Sequence, residues 1–194
     1  MNGVVGRLIA AVTLAIAATG ASAQTVEVEG VKLDPTVQVG GTALLLNGAG
    51  VRTRAIFKVY VAGLYVPQKA GNAGALLSQK GARRVAITML RNVDADTFAN
   101  ALIEGLQKNH SEAQIVGFKA QIDTLSANLK AAGEAKKGDM IHLDYLPDAG
   151  TRVIVNGQPR GSAIAGEDFY TAVLRIWLGE KPADGDLKKG LLGS

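Results

Sequence analysis

Three cations and a phenol stand at even spacing in one stretch of the chain: Arg52, Arg54, Lys58 and Tyr60. Alternate residues of an extended strand point the same way, so a strand from residue 52 or 54 to residue 66 would put these four on one face. Ile56, Ala62 and Leu64 would join them, with Phe57, Val59, Val61 and Tyr65 opposite. A guanidinium presents a planar fork of donors that matches a carboxylate, and a phenol hydroxyl can donate to the same oxygens. Unpaired charges are costly to bury, so such a face needs solvent, structural acidic partners or an anionic ligand. Periodicity leaves that choice open. It also does not say which of Arg52 and Arg54 points into a cleft, because both have the same parity.

Other chemistry is sparsely represented. The two histidines, His110 and His142, fall on different elements with no acidic or histidine partner at ligand spacing, so no metal site is expected. His110 reads as a helix C-terminal residue and His142 as a strand residue. The absence of cysteine excludes disulfides, thiol catalysis and thiolate-bound metals. No serine or threonine stands in a Gly-x-Ser-x-Gly elbow. Asn47-Gly48-Ala49-Gly50 lacks the lysine and the strand–loop–helix setting of a phosphate loop, and reads as a tight turn. Asp94 and Asp96 are explained by capping a helix start, and Asp139 and Asp144 offer no stronger case for paired carboxylates. No cofactor is implied. The net charge of +4 is mild and scattered, without an arginine stripe interleaved with aromatics, which argues against nucleic acid.

The elements that would position the basic face can be read from periodicity and turn residues. Residues 26–39 largely alternate and suggest a short hairpin at a sheet edge; residues 43–46 form a brief strand before the Asn47–Gly50 turn. Residues 71–77 read as a linker or short helix and residues 84–90 as a strand. A helix capped by Asp94 or Asp96 then runs to about residue 107, with Phe98, Ala101, Leu102 and Leu106 on one face. A second helix, about residues 112–131, carries Ile115, Phe118, Ile122, Leu125 and Leu129. Strands follow at residues 139–146, 151–155 and 160–164, with Asn156-Gly157 as a type I′ hairpin turn. Helices near residues 166–178 and 186–192 complete the chain. Adjacent strands with helices grouped between and after them predict an α+β domain on a large antiparallel sheet covered by a layer of helices.

The N-terminus reads differently. Arg7 precedes an apolar run over residues 8–18, and Ala21-Ser22-Ala23 before Gln24 is the small-x-small pattern of a signal peptidase site. The run is shorter than the roughly 20 apolar residues of a stable membrane span. Residues 1–23 are therefore expected to be a cleaved secretory signal peptide and residues 24–194 a single soluble domain, periplasmic or secreted, with no stable membrane insertion. Losing Arg7 lowers the net charge from +4 to +3.

Two blocks of residues carry a family resemblance. Leu46-Asn47-Gly48-Ala49-Gly50-Val51-Arg52, followed by residues 57–65 (FKVYVAGLY), resembles the opening strands of the chalcone isomerase superfamily. Asp168-Phe169-Tyr170, residues 175–182 (RIWLGEKP) and residues 186–192 resemble the C-terminal helices of its bacterial, exported branch. The resemblance implies a sheet covered by helices with a ligand cleft between them, an open-faced β-sandwich. It also implies a role for Arg52, which matches the arginine that steadies a phenolate in the enzymes and holds a carboxylate in fatty-acid-binding relatives. Tyr60 resembles the tyrosine that assists it in the binders. The enzymes' tyrosine and asparagine fall on Phe98 and Gly105, and a polar residue of a late helix falls near Ile176, so no catalytic residue is expected. Three functions follow: a non-catalytic binder of a small apolar carboxylate such as a fatty acid, with Arg52, Tyr60, Arg54 and Lys58 as candidate ligand residues; an isomerase or lyase on an unknown substrate; or an envelope accessory protein without a small ligand.

Overall fold

The computed structural model describes residues 25–194. The expected signal peptide, residues 1–23, lies outside the described residues. Seven strands form one antiparallel sheet whose spatial order is their order in the chain: β3 (Thr36–Val39), β4 (Thr42–Arg54), β5 (Phe57–Val66), β6 (Arg83–Met89), β7 (Met140–Leu146), β8 (Gly150–Val155) and β9 (Gln158–Ile164). β1 (Val26–Val28) and β2 (Val31–Leu33) make a separate two-stranded hairpin rather than an edge of this sheet. Between β5 and β6 lies α1 (Ala73–Ser78); between β6 and β7 lie α2 (Ala95–Lys108), α3 (Glu112–Gly117) and α4 (Lys119–Ala131). α5 (Glu167–Leu178) and α6 (Gly185–Leu191) end the chain. The α+β class and the helix-covered antiparallel sheet are as the residue pattern predicted.

Two cores sandwich the sheet. Leu33, Leu44, Leu46, Val61 and Tyr65 bury the face under the β1–β2 hairpin, while Ala62, Leu64, Val85, Ile87, Leu143 and Val153 meet the helices on the other. α5 contributes most to the helix layer, with Phe169, Tyr170, Val173 and Trp177 all buried at three- and four-residue steps. Arg83 is wholly buried, bonding the carboxylate of Glu167 at 2.9 Å, with its guanidinium carbon 5.3 and 5.2 Å from the ring centres of Tyr145 and Tyr170, which stack on each other. Asn156 and Gly157 both have positive φ (51° and 78°), the backbone of the expected type I′ turn.

Two readings of the strands are corrected. Asn47–Gly50 is not a turn: β4 runs straight through it, and the glycines are there because α6 lies against the strand. A Cβ on Gly48 would collide with the Gly190 carbonyl, and one on Gly190 would lie 3.1 Å from the Gly50 Cα. Asn47 locks the contact, donating to the Leu191 carbonyl at 2.7 Å and bonding Ala70 through both amide atoms. The single strand expected up to Val66 is likewise two, β4 and β5, folded back at Ala55-Ile56. The expected long helix at residues 112–131 is also divided, at Phe118, whose ring packs against Phe169.

Candidate ligand cleft

The folded-back hairpin decides which side chains meet. Register shifts in the β4–β5 ladder fall between Leu46 and Gly48 and between Arg52 and Thr53. Each adds an unpaired residue, Asn47 on β4 and Val59 on β5, and each reverses the alternation. On β4, Leu44 and Leu46 face the β1–β2 hairpin, whereas Gly48, Gly50 and Arg52 face the helices. On β5, Tyr60 and Val59 both join the helix-side core, and Lys58 is turned away.

Lys58 is therefore not with the others. Its ammonium bonds both carboxylate oxygens of Glu29 at 2.7 Å, in the β1–β2 turn on the opposite face of the sheet. Arg52 and Arg54 both line a cleft of ≈ 420 Å³ between the β4–β5 hairpin and the start of α2. That resolves the parity question: both arginines face it. Phe57, Val59, Phe98 and Ala101 supply an apolar wall, and Arg91 a third guanidinium. Asp94 caps α2, accepting from the Thr97 amide at 3.0 Å, and so fixes the rim that carries Phe98.

Arg52 is half-buried and short of partners. Its Nε is buried with no hydrogen-bond acceptor, and among the described residues no carboxylate pairs with Arg52, Arg54 or Arg91. Two nearby acids are otherwise engaged. Glu104 binds Lys108 at 2.7 Å, and the Asp184 carboxylate accepts from the amides of Thr53, Asp186 and Leu187. A buried donor on a cation without an acceptor costs about 1–3 kcal/mol or more, which an incoming anion would relieve.

Tyr60 lies beneath Arg52, with the guanidinium carbon 5.7 Å from the ring centre. It is buried, and its hydroxyl accepts from the Trp177 indole at 2.9 Å. Burial pushes this phenol up to about 12, aided by Asp184 and opposed by Arg52 and by the indole bond. Tyr65 is also pushed up to about 12 by burial and Asp34, and Tyr170 is raised further. A raised phenol pKa favours the protonated native form, so this stabilisation is complete below about pH 10 and is lost as pH climbs towards 12. Tyrosinate absorbance should lag behind that of free tyrosine and rise together with loss of the circular dichroism signal. Ionisation of all four tyrosines near pH 10 in the folded protein would contradict the burial.

The positions compared with the enzymes' polar residues hold an apolar contact. Phe98 faces the cleft, while Gly105 of α2 takes the Ile176 side chain of α5, with room so small that an added Cβ would stand 2.9 Å from Ile176 Cγ2. His110 bonds the Leu106 carbonyl at 2.8 Å, ending α2, and His142 is held below its usual pKa by burial and then by Arg84. Among the described residues no three potential metal ligands cluster, and no helix is long and apolar enough to cross a membrane. Arg91 and Trp177 are the site residues that pattern reading missed. Arg91 sits in a loop without periodicity, and Trp177 reads simply as core.

A seven-stranded antiparallel meander with a helix layer, an arginine-lined cleft under its long hairpin and a Gly-Ala-Gly strand against the last helix defines the class. The chalcone isomerase-like family model matches residues 25–193, and the chain belongs to that family. Among solved structures, an Arabidopsis thaliana fatty-acid binding protein matches with a TM-score of 0.66 at 14% identity, over 87% of this chain and 96% of that one. At that identity the likeness speaks for the fold. No curated protein matches the sequence.

Proposed function

We propose that the protein is an exported, non-catalytic member of its family that binds a small apolar carboxylate, with a fatty acid as the leading candidate. The observation that carries this is Arg52: a half-buried guanidinium, with a buried Nε lacking an acceptor, opening onto an apolar cleft. Its fork takes the carboxylate, Arg54 and Arg91 add positive potential, and the tail lies along Phe57, Val59 and Phe98. Tyr60 acts through Arg52, as a ring beneath the guanidinium, and Lys58 has no part. The named binding function of the plant neighbour agrees with this reading. Against an isomerase stand Phe98 and the Gly105–Ile176 contact, which are apolar at the positions where the resemblance to the enzymes sets the phenol and amide that orient a substrate and its water. Against an accessory protein without a ligand stands the want of an acidic partner for Arg52 among the described residues.

Protein purified from its own host should release a fatty acid on solvent extraction and show the matching mass by native mass spectrometry. Arg52→Ala should lower affinity at least about tenfold, the loss expected for a charge-assisted hydrogen bond. Fatty acid recovered undiminished from Arg52→Ala, or rapid turnover of a chalcone, would sink the proposal. Export is tested separately: mature protein from the periplasmic or secreted fraction should begin at Gln24, and a chain retained in the cytoplasm with residues 1–23 intact would refute it.

A further inference from the structure

The turn that closes β4 onto β5 carries the most exposed large apolar side chain of the described residues. Ile56 is 85% exposed and the adjacent Phe57 is 53% exposed. The loop has two residues, and Ala55 adopts positive φ (54°), as at the first position of a type II′ turn, where glycine is usual. A positive φ costs an alanine about 1 kcal/mol or more, and the turn carries that cost with Ile56 exposed at its tip.

The surroundings of the tip are basic. Arg54 adjoins it, and Arg91 lies over the Phe57 ring at 4.5 Å; neither has a carboxylate partner among the described residues. Lys58 follows on the strand. The nearby acids are engaged elsewhere: Glu29 by Lys58, Asp94 at the α2 cap and Glu104 by Lys108. Apolar residues at the point of a hairpin with arginines behind them match a bilayer interface, where side chains such as Ile and Phe enter the acyl boundary and cations meet anionic head groups. Arg54, Ala55 and Phe57 also line the cleft, so its mouth opens at this tip.

We propose that the β4–β5 tip is a docking surface for membranes carrying anionic lipid, seating the cleft mouth on the bilayer. The surface needs no ligand in the cleft, so it stands or falls separately from the ligand reading.

Vesicle flotation with a chain beginning at Gln24, which contains every described element, tests it without the apolar N-terminal run. The chain should float with phosphatidylglycerol–phosphatidylethanolamine vesicles, less with phosphatidylcholine alone, and less again at high salt, which screens Arg54 and Arg91. Ile56→Ser/Phe57→Ser should reduce partitioning by about tenfold or more, from the lost apolar insertion. Both side chains are exposed, so the melting temperature should hold. Phe57→Trp should keep flotation and give a blue-shifted emission component only with anionic vesicles. Flotation of the double variant equal to wild type, no flotation of wild type with anionic vesicles, or a tip that captures a protein but not vesicles would each overturn the proposal.

Discussion

Gly48→Val should lower stability by about 3 kcal/mol, at the upper end of overpacking costs, and should dislodge α6. The glycine has no slack around it. A Cβ would collide with the Gly190 carbonyl and lie 2.8 Å from the Gly193 amide and 2.9 Å from the Leu191 carbonyl, all of them backbone atoms that no rotamer change can move. Moving α6 also draws away Asp184, whose carboxylate caps that helix and holds the Thr53 amide at 2.8 Å. Arg52, one residue earlier, would lose its setting along with the helix. In a domain of this size the change corresponds to a fall of about 6–12 °C in Tm by thermal circular dichroism. Gly71→Ala is the control, because nothing lies within 4 Å of its Cβ position. It should move stability by less than about 0.5 kcal/mol. A Gly48→Val protein that melts like wild type would show that α6 does not press on β4.

Asp144→Ala should be about as damaging. Asp144 and Arg84 face each other across β6 and β7 and form a bidentate pair, with both N–O distances 2.6 Å. Their side chains are only 4% and 14% exposed. Removing the acid leaves a guanidinium in the sheet without its counter-ion, an outcome that typically costs 3–5 kcal/mol. Because Arg84 keeps a little solvent contact, about 3 kcal/mol is expected. The double variant Arg84→Met/Asp144→Leu should regain most of the loss, since apolar packing often replaces a buried pair at little cost. A single variant within about 0.5 kcal/mol of wild type would mean that Arg84 finds water or another partner.

The fold class was legible because its signals are local. Hydrophobic steps along α2 and α5, the Asp94 cap and the Asn156-Gly157 turn each depend on a few neighbouring residues, and each appeared where expected. The site was legible only in part. Arg52 and Arg54 do face one cleft, and Tyr60 does sit beside Arg52, but the strict two-residue period that grouped them with Lys58 does not survive the Ala55-Ile56 turn and the Val59 bulge. Neither the Asn47 nor the Val59 irregularity leaves a composition mark. The Ala55-Ile56 turn has none of the usual turn residues, so β4 and β5 blend into one apparent strand. Gly48 and Gly50 misled for a related reason. Glycine marks close backbone approach as readily as it marks a turn, and only α6, some 140 residues further along, tells the two apart.

The Trp177–Tyr60 bond makes the molecule its own optical gauge. The chain has one tryptophan, so emission has a single source. That indole is shielded from solvent and joined through one phenol to the guanidinium at the cleft. A ligand taken up at Arg52, as proposed, would therefore be expected to register in the emission of an indole bonded to the Tyr60 hydroxyl, which titrations of the unlabelled native protein would follow from within.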